Sequence, residues 1–245
     1  MSFKISYVAE LKNVAEVTLI GTADLDYWQT ILARANLQPR AVNGQAEMFI
    51  SCARGKFWGC EFTEWSCSVA VEFTTGAERK EGYYLVAAYN SSAWFAWCER
   101  TFFGTPYQSA TCVLQQDASH GQNVGTPAGQ LWHARWVPDH GILPIARQPA
   151  NSGEDGWAGP IFLPASKAGE QPGQTVFFAR LWGQTETYPF LSEQDELVYT
   201  PQPGTVFEQL RLSNFLAREW HLRRAAEHSR SATWRRDRAF PPPAK

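Results

Sequence analysis

The sequence predicts an α+β fold built on an antiparallel sheet. Short runs of β-forming residues recur along the chain with brief turns between them, whereas only a few segments have helical periodicity. The composition, with 44% hydrophobic and 19% charged residues among 245, is typical of a globular core and excludes disordered, collagen-like and coiled-coil classes. We expect one domain over residues 1–240, followed by a proline-rich tail over residues 241–245.

The first half of the chain predicts two helices around a set of strands. Asp24 can cap a helix that runs to about Asn36 with one apolar face. A second helix is predicted between the serines Ser91 and Ser92, which can cap it, and Gly104, and we expect it to be buried because it is apolar nearly all round. The β-type runs between the two helices are Glu47–Ala53, Phe57–Thr63, Ser66–Phe73 and Tyr83–Tyr89.

The second half predicts further strands, one long connection and a final helix. From His140 to Gly173 the chain is rich in Pro and Gly, so it is expected either to cover a site or to form a peripheral excursion. The last predicted helix spans about Ser213 to His228 and has one apolar and one basic face. The predicted strands of this half are Ala110–Gln116, Leu131–Val137 and Val176–Trp182.

Charge and cysteine content limit the expected partners and compartment. A net charge of −2 gives no general attraction to nucleic acid or to anionic membranes. No apolar run is long enough to span a membrane, and the N-terminus has no apolar leader, so we expect a cytoplasmic protein. The 5 cysteines are odd in number and form no C-x-x-C pair, which favours free thiols. We therefore expect no metal and no other cofactor.

His133 is the histidine with the most suggestive context. It lies in the strand-like run Trp132–Trp136, where it shares a face with Arg135 and opposes the tryptophans. A partly exposed structural histidine is the favoured interpretation, and substrate binding is the alternative.

One segment resembles a known family. In Glu99–Ala110 the residues Arg100, Phe103, Gly104, Pro106 and Ala110 match the central signature of acetoacetate decarboxylase-like proteins, in which a short helix leads into a barrel strand. Upstream, Phe57–Glu64 is similar to the family's strand that ends in an active-site glutamate, and Phe178–Gly183 is similar to a late barrel strand. The resemblance implies a cone-like β-barrel around a small-molecule cavity, and it also implies a possible homo-oligomer.

The chain departs from this family at the two positions after Pro106. The family has two lysines there, one of which forms a Schiff base with a β-keto acid. This sequence has Tyr107 and Gln108, and neither side chain can form an imine. Decarboxylation by that route is therefore excluded at these positions.

The resemblance places other candidate groups around the cavity. Glu64 and Tyr107 would act as general base and acid on a hydrophobic carbonyl compound, in an enolisation, dehydration or cyclisation. The Gln108 amide would donate a hydrogen bond to a developing oxyanion. The expected substrate-binding residues, besides His133, are Trp94, Trp97, Arg100 and Arg180.

Besides an enzyme, the sequence leaves two other functions open. Tyr107 and Gln108 could simply fill the space left by the lysines, in which case the protein would be a non-catalytic binding or sensing protein on the same fold. A third possibility is an interaction module that works through the basic C-terminal helix, since residues 211–238 carry a net charge of +5 (8 Arg against 3 acidic residues).

Overall fold

The computed structural model describes residues 5–76, 78–116, 120–136, 149–166 and 169–241. The helices are α1 (Leu25–Ala33), α2 (Ala93–Phe103), α3 (Val206–Leu212) and α4 (Arg236–Ala239). The strands are β1 (Tyr7–Ala23), β2 (Gln38–Pro39), β3 (Ala41–Val42), β4 (Gln45–Phe57), β5 (Cys60–Thr75), β6 (Glu78–Asn90), β7 (Tyr107–Ser109), β8 (Thr111–Gln116), β9 (His120–Thr126), β10 (Gly129–Trp136), β11 (Asn151–Phe162), β12 (Thr175–Pro189), β13 (Glu196–Tyr199), β14 (Leu216–Ser231) and β15 (Trp234–Arg235).

The main sheet closes on itself as a barrel. Its strands follow the order β5-β4-β1-β14-β12-β11-β6, and β6 pairs back to β5, so these seven strands form a closed circuit. The pairings around it are antiparallel except for the short parallel contact between β11 and β6. A closed barrel leaves no free edge along its wall and separates an inner face from an outer face.

A second sheet, in the order β13-β10-β9-β8, covers part of the barrel's outer surface. The main apolar core lies between the two sheets, where Trp65 of β5 packs against Trp132 of β10 and Phe207 of α3 at ring-centroid distances of 5.6 and 5.5 Å. All three side chains are fully buried. Because this face of β5 points outward into the core, the alternate residues of β5 point into the barrel.

The predicted helices of the first half are present. Asp24 caps α1, and its carboxylate accepts a hydrogen bond from the Tyr27 backbone N–H at 2.9 Å. Ser92 caps α2, and Gly104 ends it in the left-handed conformation with φ of 63°. Residues 24–36 and 92–104 therefore fold locally as their capping residues predict.

Three expectations for strands were wrong in detail. Phe57–Thr63 is not one strand, because the turn residues Trp58 and Gly59 have positive φ angles of 48° and 83° and divide it between β4 and β5.

The long connection His140–Gly173 contains the strand β11, whereas residues 137–148 and 167–168 lie outside the described part of the chain. The sequence pattern also missed the N-terminal strand β1. Residues 242–245 of the predicted tail are likewise not described.

The predicted C-terminal helix over Ser213–His228 was wrong. This segment contains the long strand β14, which pairs antiparallel with β1 on one side and with β12 on the other. Pairing on both edges satisfies the backbone hydrogen bonds of β14 in the barrel wall and overrides the helix propensity of its Arg, Glu, Leu and Ala residues. There is accordingly no basic helix to act as an interaction module.

The prediction that α2 is buried was also wrong. Among its side chains only Ala96 is buried, whereas Trp94 is 64% exposed, Trp97 42% and Phe102 64%. Trp94 and Trp97 stack on each other at 4.9 Å, so these rings are covered partly by one another. None of the helices in the described residues is long and apolar enough to cross a membrane.

Candidate active site

The inner face of the barrel carries a row of polar residues. Glu16 of β1 lies opposite Ala53 of β4, which in turn lies opposite Glu64 of β5. On the next inward-facing row, the hydroxyl oxygens of Thr18 and Ser51 lie within hydrogen-bond distance, 3.0 Å apart. The inner face of these strands is therefore polar, whereas their outer face is apolar. This polar lining makes the barrel interior the candidate active site.

Tyr107 reaches this interior through the end of α2. Gly104 ends the helix, and the chain then enters β7, which pairs parallel to β6 with Tyr107 opposite Ala88. The Tyr107 hydroxyl donates a hydrogen bond to Glu64 Oε2 at 3.0 Å. The structure thus brings together the two residues that the sequence predicted as acid and base.

The surroundings shift the pKa values of both groups upward. Burial raises the pKa of Glu64 above its usual 4.5, and it outweighs the positive charge of His228 and the hydrogen bond from Tyr107, which act in the opposite direction. Burial, followed by the negative charges of Glu64 and Glu99, raises the pKa of Tyr107 well above 10. Glu64 is therefore a stronger base than an exposed carboxylate, and Tyr107 stays a neutral donor.

Glu16 is the centre of an ion cluster next to this pair. Its carboxylate binds Arg223 Nη1 at 2.7 Å and His228 Nε2 at 2.7 Å, and it accepts a hydrogen bond from the Thr18 hydroxyl at 2.7 Å. Burial by itself would raise the pKa of Glu16, but the hydrogen bond and charge of His228, the charge of Arg223 and the Thr18 hydroxyl together lower it to about 2. Glu16 therefore stays ionised in the barrel interior.

A second ion pair lies at the end of α2. Arg230 of β14 pairs with Glu99, and its guanidinium lies over the rings of Phe103 and Phe177 at 4.5 and 4.6 Å. The Thr105 hydroxyl also donates to Glu99, at 2.9 Å. This pair joins α2 to the barrel wall and adds one charge of each sign near Glu64 and Tyr107.

The wall beside Tyr107 is apolar. Leu85, Ala88, Leu163 and Phe177 form a small buried cluster against which Tyr107 packs. A groove of about 570 Å³ lies elsewhere in the structure, and its lining includes Gln29, Asn36, Glu72 and Arg79 but neither Glu64 nor Tyr107. The chemistry therefore favours the barrel interior over this groove as the candidate site.

Two other residues of the signature do not reach the Glu64–Tyr107 pair with their side chains. Gln108 is exposed, because successive residues of β7 point to opposite faces and Tyr107 takes the inner one. Arg100 is also exposed, and its Nη1 donates to the backbone carbonyl of Tyr107 at 2.7 Å. Arg100 therefore contacts the backbone that carries Tyr107.

The remaining predicted binding residues lie outside the barrel interior. Trp94 and Trp97 are on the exposed face of α2. Arg180 is exposed and lies 3.7 Å from Glu10 and over the ring of Tyr7. His133 is in the second sheet, where its Nδ1 lies 2.6 Å from Asn123 Oδ1 and its Nε2 3.0 Å from Glu196 Oε2.

Five charged residues near the Glu64–Tyr107 pair have no signal in the sequence that marks them as site residues. The basic ones lie in the C-terminal segment, whose composition predicts the solvated face of a helix, and their partners lie far away in the chain. Arg223 and Glu16, for example, are 207 residues apart. A strand-like alternation in the C-terminal segment was the only available signal, and the helix formers in it masked that signal. The missed residues are Glu16, Glu99, Arg223, His228 and Arg230.

Neither a lysine nor a metal cluster is found at this site among the described residues. Lys12 and Lys56 are exposed, and Lys80 pairs with Glu78 at 3.2 Å. No group of three His, Cys, Asp or Glu side chains in the described ranges is arranged to hold a metal ion. The 5 cysteines are free thiols, as their spacing predicted.

The structure is similar to several solved structures of acetoacetate decarboxylases and related enzymes. Acetoacetate decarboxylase from Legionella pneumophila matches with a TM-score of 0.58 and 12% identity, over 95% of this chain and 88% of that chain. An acetoacetate decarboxylase-like enzyme from Sphingomonas wittichii matches with a TM-score of 0.55 and 14% identity, over 92% of both chains. The enduracididine biosynthesis enzyme MppR, in complex with pyruvate, matches with a TM-score of 0.60 and 13% identity, over 94% of this chain and 90% of that chain.

At the level of sequence, neither a protein-family profile nor a curated protein matches the chain. The structural likeness nevertheless extends over nearly the whole chain and over the barrel that carries Glu64 and Tyr107. The chain therefore has the acetoacetate decarboxylase-like fold, as the resemblance of Glu99–Ala110 predicted.

Proposed function

We propose that this protein is an enzyme that binds a small carbonyl compound inside the barrel and moves protons on it with Glu64 and Tyr107. The observation that carries the proposal is the hydrogen bond of 3.0 Å between the Tyr107 hydroxyl and Glu64 Oε2 on the inner face. A carboxylate of raised pKa beside a neutral phenol is a general base paired with a general acid.

The chemistry that fits this pair begins with enolisation. Glu64 takes a proton from the carbon next to the carbonyl, the C–H electron pair forms the C=C bond, and the carbonyl oxygen takes up the negative charge. Return of the proton to the same carbon gives exchange with solvent, and its return to a different carbon or to the opposite face completes an isomerisation. When Tyr107 gives its proton to a β-hydroxyl, that group leaves as water and the reaction is a dehydration. Attack of the enolate carbon on a second carbonyl of the same molecule gives cyclisation, and Tyr107 protonates the alkoxide that forms. None of these steps needs an amine on the protein.

The structural neighbours support the class of substrate. MppR has been solved with pyruvate and with the condensation product of pyruvate and imidazole 4-carboxaldehyde. The apolar cluster beside Tyr107 also suits a hydrophobic substituent on the ketone. Pyruvate and acetophenone are therefore good probes, since each has a methyl group whose protons become exchangeable on enolisation.

The test is the exchange of these methyl protons for deuterium, followed by proton NMR in D₂O. We expect the wild-type protein to accelerate exchange for at least one of the two ketones. Glu64→Gln should abolish the acceleration, and Tyr107→Phe should lower it, because Glu64 then loses the hydrogen bond from the Tyr107 hydroxyl that orients its carboxylate. Glu61→Gln is the matched control, because Glu61 is exposed on the same strand.

Other outcomes would contradict the proposal. A wild-type protein that binds pyruvate or acetophenone without exchange would be the non-catalytic binding protein that the sequence left open. Acetoacetate turnover that borohydride traps as a covalent adduct would show Schiff-base chemistry instead. Thermal unfolding of each variant distinguishes a lost base from a lost fold.

A further inference from the structure

His228 lies close to the candidate active site, although the proposed proton transfers by Glu64 and Tyr107 do not use it. It lies on β14, and its Nε2 is 2.7 Å from the buried Glu16 carboxylate. The side chain keeps 20% of its surface accessible, whereas that of Glu16 keeps 3%. No described residue forms a hydrogen bond with the other ring nitrogen, Nδ1. The ion pair with Glu16 thus holds one ring nitrogen, and the His228 side chain keeps accessible surface for a ligand.

The cluster behind His228 favours the protonated, imidazolium form of the ring. Glu16 is pinned by Arg223 and Thr18, so its carboxylate cannot turn away from His228. The charges that face His228 are Glu16, Glu64 and Arg223. Burial by itself would lower the pKa of His228, but the hydrogen bond and charge of Glu16 and the charge of Glu64 outweigh it and raise the pKa above 6.5.

The donor groups of two other interior residues, Tyr107 and Arg223, are occupied. The Tyr107 hydroxyl donates to Glu64, and all three nitrogen groups of the Arg223 guanidinium have partners, namely Glu16, Thr185 and Asp155. Arg230 is paired with Glu99 and lies between two aromatic rings, although no described residue accepts a hydrogen bond from its Nη2. Enolisation needs a donor at the carbonyl oxygen as well as a base at the carbon.

We propose that His228 is a second catalytic residue of this site, which donates a hydrogen bond from Nδ1 to the carbonyl oxygen while Glu64 takes the proton from carbon. The inference rests on the proposed function. In the step, the carbonyl π electrons move to oxygen, where the imidazolium stabilises the enolate, and they return when Glu64 gives the proton back. Glu16 is the positioning residue that orients the ring and keeps it charged.

The test compares the pH dependence of ketone exchange among three variants. In the wild-type protein the rate should fall at alkaline pH, as His228 loses its proton. His228→Gln should lower the plateau rate by about 100- to 1,000-fold and remove this alkaline limb. Glu16→Gln should shift the alkaline limb to lower pH, because the neutral amide no longer raises the pKa of His228. A purely structural role would not move this limb.

Arg230→Gln is the matched comparison. An arginine does not titrate in the accessible pH range, so its loss cannot remove an alkaline limb. If Arg230→Gln and His228→Gln both retain the limb, or if His228→Gln retains the wild-type rate, the assignment of His228 is wrong while the role of Glu64 stands.

A binding measurement separates this inference from the proposed function. Oxalate resembles the enolate of pyruvate, and calorimetry should show that His228→Gln weakens oxalate binding at least 10-fold while pyruvate binding changes less. Unchanged oxalate affinity in His228→Gln, or no oxalate binding by the wild-type protein, would overturn the assignment. If no ketone is exchanged but oxalate binding depends on His228, the proposed catalysis fails and His228 remains the residue that recognises the ligand oxygen.

Discussion

At the scale of single residues, the buried carboxylate of Glu16 shows how the barrel interior stays charged. A carboxylate that leaves water is destabilised unless other groups replace the lost hydration. Here Arg223, His228 and Thr18 all contact Glu16 within 2.7 Å. The two basic groups come from one strand and Glu16 from its neighbour, so the ion cluster forms only when β14 and β1 pair.

This cluster makes stability depend on pH. The pKa of Glu16 is about 2 in the folded protein and near 4.5 in the unfolded chain, so its stabilisation is present above pH 4.5 and is lost as the pH falls toward 2. A shift of this size corresponds to ~3 kcal/mol at neutral pH. His228 acts with the opposite sign, because its raised pKa stabilises the fold below pH 6.5 and the effect is lost as the pH rises through the folded value.

We therefore expect Glu16→Gln to lower the free energy of unfolding by about 3 kcal/mol at pH 7. The difference from the wild-type protein should shrink as the pH is lowered to 3. Urea titrations at pH 7, 5 and 3 measure both quantities, and Glu10→Gln on the exposed part of β1 is the control. An equal loss of stability at all three values would show that the pKa of Glu16 is not lowered in the folded protein.

The candidate site could be predicted only in part at this scale. Glu64 and Tyr107 were identified through their resemblance to a known signature, and the structure places them in hydrogen-bond contact. Gln108 was selected by its position next to Tyr107, but alternation along β7 turns it outward. Glu16 and His228 carry no local signal, since their partners are set by the pairing of β1 with β14.

At the scale of elements, the local sequence is sufficient to predict helix α2 but not to predict strand β14. Ser92 and Gly104 define the ends of α2 by their own conformations, which need no tertiary contact. The residues of β14 include many helix formers, and only the two neighbouring strands make the extended form favourable. Its basic side chains seemed to form a solvated face, but Arg223 and Arg230 are directed into ion pairs.

Gly104 ends helix α2, and the position of Tyr107 depends on the turn that it forms. Its φ of 63° lies in the left-handed region, where a Cβ is strained, and the turn delivers Tyr107 to Glu64. We expect Gly104→Ala to destabilise the protein by about 1 kcal/mol and to lower the rate of ketone exchange. Gly153→Ala is the control, because Gly153 has open space around it and no positive φ. Equal stability and equal rates for the two variants would contradict the role of this turn.

At the scale of the whole molecule, the second sheet is fastened to the barrel by a buried amide. Gln122 of β9 is fully buried, and its Nε2 donates to the carbonyls of Val17 and Ile50 at 2.6 and 2.9 Å. Its Oε1 accepts a hydrogen bond from Trp132 Nε1 at 3.2 Å. One side chain thus joins β9 and β10 of the second sheet to β1 and β4 of the barrel.

We expect Gln122→Met, which keeps the volume but removes these bonds, to cost about 1–3 kcal/mol. Gln130→Met on the exposed face of β10 should cost far less. Urea unfolding followed by tryptophan fluorescence measures the loss, and a single cooperative transition in the wild-type protein would agree with one domain over residues 1–240. Two separate transitions, with the loss confined to one, would show that the sheets unfold independently.

The homo-oligomer and the cytoplasmic location remain predictions. The exposed rings of Trp94, Trp97 and Phe102 make the outer face of α2 a surface that a further contact would cover favourably. The fold itself could be predicted from the sequence because the signature of α2 and β7 lies in one continuous segment. The closure of the barrel could not, since it depends on β1 and β14 at opposite ends of the chain.

The role of Glu64 as a base inside the barrel is tested by deuterium exchange into the methyl group of pyruvate or acetophenone. We expect the wild-type protein to exchange these protons at a rate that falls as the pH is lowered through the raised pKa of Glu64, and we expect Glu64→Gln to give no exchange above that in buffer. If the folded wild-type protein leaves both methyl groups unexchanged, or if Glu64→Gln exchanges them at the wild-type rate, the claim is wrong.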